Sequence, residues 1–180
     1  MVISGPPCSG KSTLALELVG RYGWPLLAKD EYKERVFREL GARDREWSRR
    51  VSAVAWDLLF AEGERLVRAR VDCVLDGNFR IAQAAGLAAL AAHGGQLLEI
   101  ACTAEPRVLL ARFQRRIGEG SRHPGHVDRD ALPDIEHEFT SPSPRVVPAE
   151  APRLVCDTSG AIDVAALAAR LDGLIAAAQR

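Results

Sequence analysis

Apolar residues along this chain follow two periods. Short apolar runs alternate with stretches whose apolar positions recur every three to four residues, the patterns of buried strands and amphipathic helices. Val2–Ser4 reads as a first strand and residues 11–22 as a helix. Trp24–Lys29 reads as a second strand, followed by a short helix over Asp30–Leu40 that Gly41 stops. A long helix is expected from about Asp44 to Arg70, with Trp47, Val51, Val54, Leu58, Leu66 and Val67 as a core-facing stripe. Val71–Asp76 is the third expected strand, residues 80–94 an Ala-rich helix, Leu97–Cys102 the fourth strand and 105–117 a further helix. Leu154–Cys156 reads as the fifth strand and 161–178 as a closing helix.

Five strands separated by helices imply an α/β fold in three layers, with a parallel sheet covered on both faces. Neither an internal repeat nor a dividing linker is visible, so residues 1–180 are expected to form one domain. Residues 118–150 break the pattern, being polar and rich in Gly, Pro, His and Arg. A short helix is expected within 128–138 and plain loop over 140–148. A polar stretch of this length is read as a lid. Its place after an Arg-bearing helix puts the lid over about 112–130.

Composition narrows the classes. The 24 Lys and Arg balance 24 Asp and Glu, so no global basic field favours nucleic acid or an anionic membrane. The lack of an evident basic and aromatic track also argues against nucleic acid. No apolar run approaches a membrane span and no leader-like segment is seen, which gives an expectation of a cytoplasmic protein with no membrane partner. Cys8, Cys73, Cys102 and Cys156 stand singly and read as reduced thiols, with Cys8 exposed and reactive when the site is empty. Only three lysines, Lys11, Lys29 and Lys33, occur among 24 basic residues, and two of them flank Asp30.

The candidate chemistry begins at the first strand. Gly5-Pro6-Pro7-Cys8-Ser9-Gly10-Lys11-Ser12, followed by Thr13, is a complete G-x-x-x-x-G-K-[ST] loop between a strand and a helix. Gly5 and Gly10 let the backbone turn its N–H groups toward an anion, and the helix start adds positive potential. Lys11 supplies a mobile charge for the β/γ-phosphates, the Ser12 hydroxyl is placed to ligate Mg²⁺, and Thr13 is placed to touch the α-phosphate. Residues 5–13 are therefore expected to bind a nucleoside triphosphate.

Ligands of an open parallel sheet gather beyond the carboxyl ends of its strands. That edge should carry Asp30, then Asp76, Asn78 and Arg80, then Thr103. Asp76 closes an apolar run as a metal-holding carboxylate does; a turn-forming role before Gly77 is the alternative. Asp72, at the other end of that strand, reads as a surface residue. Asp30 is expected to act as base toward an acceptor hydroxyl, to cap the following helix, or both. Lys33, Asn78 and Arg80 are candidate substrate contacts, and a solvated Lys33 is the alternative. Arg112, Arg115 and Arg116 share one helical face, so they and Arg122 can close over the phosphates; an ordinary solvated basic face is the alternative. His123 and His126, with Asp128, read as lid or substrate contacts or as an uninvolved loop, and not as a metal site, for want of further ligands at fixed spacing.

The segments GPPCSGKST, LLAKDEYKERVF, LDGNF and LLARFQRR together resemble the small P-loop kinases often labelled "AAA family ATPase" or "predicted kinase". These are related to the kinase domain of phage-type polynucleotide kinase, to chloramphenicol phosphotransferase and to the zeta toxins. The resemblance implies an adenylate-kinase-like P-loop NTPase fold with a lid and strand order 2-3-1-4-5. It also implies ATP as donor, Asp30 as the base after strand 2, and a substrate-contacting Arg in relatives where this chain has Lys33. The reading that results is an ATP- and Mg²⁺-dependent kinase acting on a small hydroxyl compound. The alternatives are a nucleotide-binding regulatory module, a slow NTPase, or a 5′-hydroxyl nucleic-acid kinase.

Overall fold

A computed structural model describes residues 1–141 and 144–178. Five short strands, β1 (Val2–Ser4), β2 (Leu26–Ala28), β3 (Val74–Asp76), β4 (Glu99–Thr103) and β5 (Arg153–Asp157), form one sheet in the order β2-β3-β1-β4-β5. Every pairing is parallel, with Val2 beside Leu75 on one side and Glu99 on the other. Successive side chains of β1 point to opposite faces, and both Val2 and Ile3 are fully buried, so each face carries its own core. Helices α1 (Lys11–Tyr22) and α7 (Val164–Ala178) cover one face through Leu14, Leu18, Leu167 and Leu171. On the other face lie α3 (Arg45–Arg68) and α4 (Ala84–Ala92), contributing Leu59, Leu87 and Leu90. The remaining helices are α2 (Lys29–Leu40), α5 (Pro106–Glu119) and α6 (Asp128–Thr140).

Several boundaries differ from expectation, each for a local reason. Strand β2 ends at Ala28 because Lys29 already belongs to α2. Asp30 therefore sits inside the first helical turn and does not cap it; the N-cap is Ala28, without a side-chain bond. Asp44 does cap α3, accepting from the Trp47 N–H at 2.8 Å. β3 starts only at Val74, since residues 71–73 approach the sheet without pairing in it. The expected helix over 80–94 opens as a 3-10 turn at Ile81–Gln83 before α4. The α3 stripe is also displaced. Ser48, Val51, Ala55, Leu59 and Gly63 are the buried face, while Val54 and Leu58 point outward at 48% and 42% exposure. Small residues on that face let the helix lie close to its neighbours, a packing that apolar spacing alone does not reveal.

The largest departure is residues 118–150. Helix α5 runs on to Glu119, a 3-10 turn occupies Pro124–His126, and α6 spans 13 residues with Pro133 inside its first turns. Leu109, Phe113, Ala131, Ile135 and Phe139 give this α5–α6 arm a small core of its own. The segment beyond α6, two residues of which lie outside the described ones, is loop as expected, but a pinned one. Val147 is buried, and Arg145 donates to the buried Glu99 carboxylate at 2.8 Å and to the Ala149 and Ala151 carbonyls. No helix among the described residues is long and apolar enough to cross a membrane.

Candidate active site

The carboxyl edge of the sheet opens into one cavity of about 1030 Å³, bounded by the phosphate loop, α2, α3, residues after β3, and the α5–α6 arm. The loop is wound by three left-handed residues, Gly5 (φ 141°), Cys8 (φ 60°) and Gly10 (φ 76°). A Cβ on Gly5 would stand 2.2 Å from the Cys102 carbonyl oxygen, so only glycine fits where the loop leaves the sheet. Gly10 is the N-cap of α1 and offers no side chain, and the first turn of α1 holds no acid. Its N–H groups are thus left for an anion.

Lys11 is buried, and its ammonium donates to the Pro6 carbonyl at 2.6 Å with Ser9 Oγ 3.4 Å away. Burial lowers its pKa while the charge of Asp76 opposes the shift. Ser12 Oγ donates to Asp76 Oδ2 at 2.6 Å, and Asp76 Oδ1 is buried without any partner. Burial pushes the Asp76 carboxyl up, against the Ser12 bond and the Lys11 charge. A hydroxyl and an orphaned carboxylate oxygen side by side are the donor set a hard divalent cation needs, so Ser12 and Asp76 can hold one. Asp76 is no turn former: it is the last residue of β3 and buried.

The opposite wall comes from α2 and α3. Asp30 pairs with Arg122 of the arm and with Lys29 at 3.2 Å, while its carboxylate remains 47% exposed. Burial acts to raise the Asp30 pKa, but the Arg122 and Lys29 charges outweigh it and hold the group well below the usual carboxylate range. Lys33 is buried, not solvated, and donates to Ser48 Oγ at 2.8 Å. Asn78 and Arg80 line the cavity beyond β3, and Arg80 pairs with Glu138 of α6.

The three arginines of α5 separate. Arg112 donates to the Thr158 carbonyl at 2.6 Å and to the Cys8 carbonyl at 3.4 Å, bridging the arm to the phosphate loop. Arg116 has Nε 2.9 Å from Asp128 Oδ2 without hydrogen-bond alignment, and its buried Nη2 has no acceptor. Arg115 stands at the rim, 73% exposed and 3.6 Å from Glu119. His123 stacks on Phe37 at 5.3 Å, and buried His126 has Nε2 3.1 Å from Glu34. Burial and the Arg122 charge hold His126 neutral. Among the described residues no cluster of His, Cys, Asp and Glu is suited to a metal on its own. Cys8 is half-buried and its thiol is pushed up, mainly by burial, which removes the expected reactivity.

Sequence reading missed Thr158. Its buried hydroxyl lies 3.0 Å from the Ser9 carbonyl and 3.1 Å from that of Thr103, and it receives Arg112 Nη1 at 3.2 Å. The signal was available, since Thr158 directly follows β5 on the same edge as the other site residues. The Thr103 side chain itself is exposed and not part of the cavity.

A Walker-type loop, a strand-end acid beneath its serine and an arginine-bearing arm over both define a nucleotide-binding P-loop fold. The chain belongs to the AAA domain family, which matches residues 1–142. It is 33% identical to a candidate kinase from Chloroflexus aurantiacus J-10-fl, with 96% of each chain covered and a TM-score of 0.86. The fold also matches a gluconokinase from Sinorhizobium meliloti 1021, 18% identical, covering 96% of this chain and 95% of that one at a TM-score of 0.56. A shikimate kinase from Acinetobacter baumannii in complex with shikimate is 18% identical, with 98% and 92% covered and a TM-score of 0.52. No curated protein sequence matches the chain.

Proposed function

We propose that this protein is an ATP- and Mg²⁺-dependent kinase that transfers the γ-phosphate to a hydroxyl of a small molecule. The observation that carries this reading is Asp30. It is an ionised, half-exposed carboxylate opening onto the same cavity as a complete phosphate loop. A bare nucleotide switch has no use for such a group.

Residues 5–13 cradle the triphosphate, with Lys11 on the β/γ oxygens, and Ser12 and Asp76 hold the metal. A divalent cation held there would supply charge neutralisation for the transferring phosphoryl group. Asp30 orients the acceptor hydroxyl in line with the γ-phosphorus and accepts its proton as the new O–P bond forms and ADP leaves. A weakly basic carboxylate suffices, because a loose transfer develops little charge on the attacking oxygen until late. Lys29 and Arg122 keep Asp30 ionised, and Lys33, Asn78 and Arg80 lie on the acceptor side. The α5–α6 arm acts as the lid. Arg116, with a free donor, and Arg112 meet the phosphates, while Arg115 joins them only by turning in from the rim. ATP as the donor follows from the resemblance of the sequence motifs to small P-loop kinases.

The test is ATP consumption with Mg²⁺ across a panel of hydroxyl compounds, with Asp30→Ala run alongside. Acceptor-stimulated turnover that falls by about 10²–10⁴-fold in the variant, with nucleotide affinity kept, is the expected result. Slow turnover indifferent to every acceptor and to Asp30 would make the protein a nucleotide-binding module or slow NTPase.

A further inference from the structure

The chain carries no net charge, yet its cavity wall holds ten lysines and arginines against five aspartates and glutamates. A magnesium-bound triphosphate offsets only part of that excess. Among the described residues, three of the wall's cations have no carboxylate within ion-pair distance: Lys11, Arg112 and Lys33. The first two belong to the nucleotide side. Lys33 alone stands unpaired on the acceptor side.

Its setting is specific. Helices α2 and α3 face each other through two rungs, Lys29 on Ser52 at 3.1 Å and Lys33 on Ser48 at 2.8 Å. The first rung is neutralised by Asp30, whereas the second meets only a hydroxyl and the Phe37 ring, 5.4 Å from the ammonium. Arg45 and Arg49 flank Ser48 on α3 and share a single carboxylate, Asp134. A buried lysine facing a hydroxyl, with a surplus of guanidinium beside it, is a half-built anion site.

We infer that the acceptor is a small anionic alcohol, a hydroxycarboxylate or a phosphate monoester, whose charged group is held by Lys33, which lines the cavity and is positioned by its bond to the buried Ser48 hydroxyl. This rests on the kinase reading above. Lys33 follows Asp30 by three residues of α2, about 4.5 Å along the axis, so the reacting hydroxyl and the anion lie near each other in the acceptor. Burial lowers the Lys33 ammonium to about 7, and a counter-anion would restore its charge.

The test is calorimetric titration of the protein loaded with Mg²⁺ and a non-hydrolysable ATP analogue. Two matched series serve as probes: glycerol, glycerate and glycerol 3-phosphate; and glucose, gluconate and glucose 6-phosphate. We expect an anionic member to bind better than its neutral parent, the carboxylate and phosphate arms identifying which anion fits. That preference should fall about 10- to 100-fold in Lys33→Met and partly return in Lys33→Arg, with affinity for the nucleotide analogue unchanged. A merely structural Lys33 would disturb the nucleotide as well. The inference is overturned if no anionic member outbinds its parent, if the preference survives Lys33→Met, or if a 5′-hydroxyl oligonucleotide outbinds all six. Phosphoryl transfer judges the kinase reading separately. Transfer to neutral alcohols alone sinks the anion site and keeps the kinase; Lys33-dependent anion binding without any Asp30-dependent transfer does the reverse.

Discussion

Lys33 buries an amine whose nearest polar partner is a hydroxyl, and the cost of that arrangement depends on pH. Its folded-state pKa, about 7, lies below the ordinary lysine value of 10.5. Between those values the unfolded chain binds more protons, so stability rises with pH across the window, and the penalty is fully present below it. Lys33→Met is therefore expected to stabilise the protein by about 1–3 kcal/mol near pH 6 and by less near pH 9. Urea melts at the two pH values check this, and equal gains at both would rule it out. Asp30 shows the opposite behaviour: cations hold it ionised, and it stays charged across the same range. Three residues apart and opposite in charge, the two residues were legible as site candidates. Their electrostatics were not, because Ser48 and Arg122 come from other elements.

At the scale of elements, Glu99 ties the sheet to the segment that follows α6. Its buried carboxylate accepts from Ser4 at 2.7 Å and pairs with Arg145 and with Arg153 at 3.3 Å. Removing the charge leaves two guanidinium groups without it, so Glu99→Gln should cost about 3 kcal/mol. Amide exchange over residues 144–151 should accelerate first, and unchanged protection there would refute the tie. The arm follows a different logic. Asp134 and Glu138 of α6 reach Arg45, Arg49 and Arg80, linking it to α3 and to the turn before α4. Helix α6 escaped full recognition because Pro133, its sixth residue, removes one i→i−4 hydrogen bond and reads from the sequence as a breaker. Its apolar residues also match Phe113 of α5 and not the sheet, a pairing that only the fold creates.

For the molecule as a whole, the sheet and the arm differ in what holds them. The sheet rests on apolar packing, whereas the arm adds to its Arg112 and Arg122 contacts a set of partly exposed ion pairs with α3 and Arg80, worth roughly 0–1 kcal/mol each. Molar salt, with a Debye length of about 3 Å, should speed amide exchange in residues 128–140 and leave β1, β3 and β4 protected. Equal sensitivity of arm and sheet would refute the division. On the kinase reading proposed above, such salt-sensitive pairs are what would let the arm open and close as a lid.

The sequence by itself determined the alternation of strands and helices, the phosphate loop and the acids at the ends of its neighbouring strands. These features are local: periodicity sets the elements, a glycine pattern sets the loop, and strand ends set the edge where ligands meet. Tertiary structure alone decided the rest. It placed Thr158 between the phosphate loop and Arg112, gave Asp30 its cations, turned Arg115 away from Arg112 and Arg116, and left Lys33 without an acid. It also gathered a positive surplus into one cavity of a chain whose charges sum to zero. Net charge is a sum over residues and carries no positions, so the field that an acceptor meets exists only once the chain has folded.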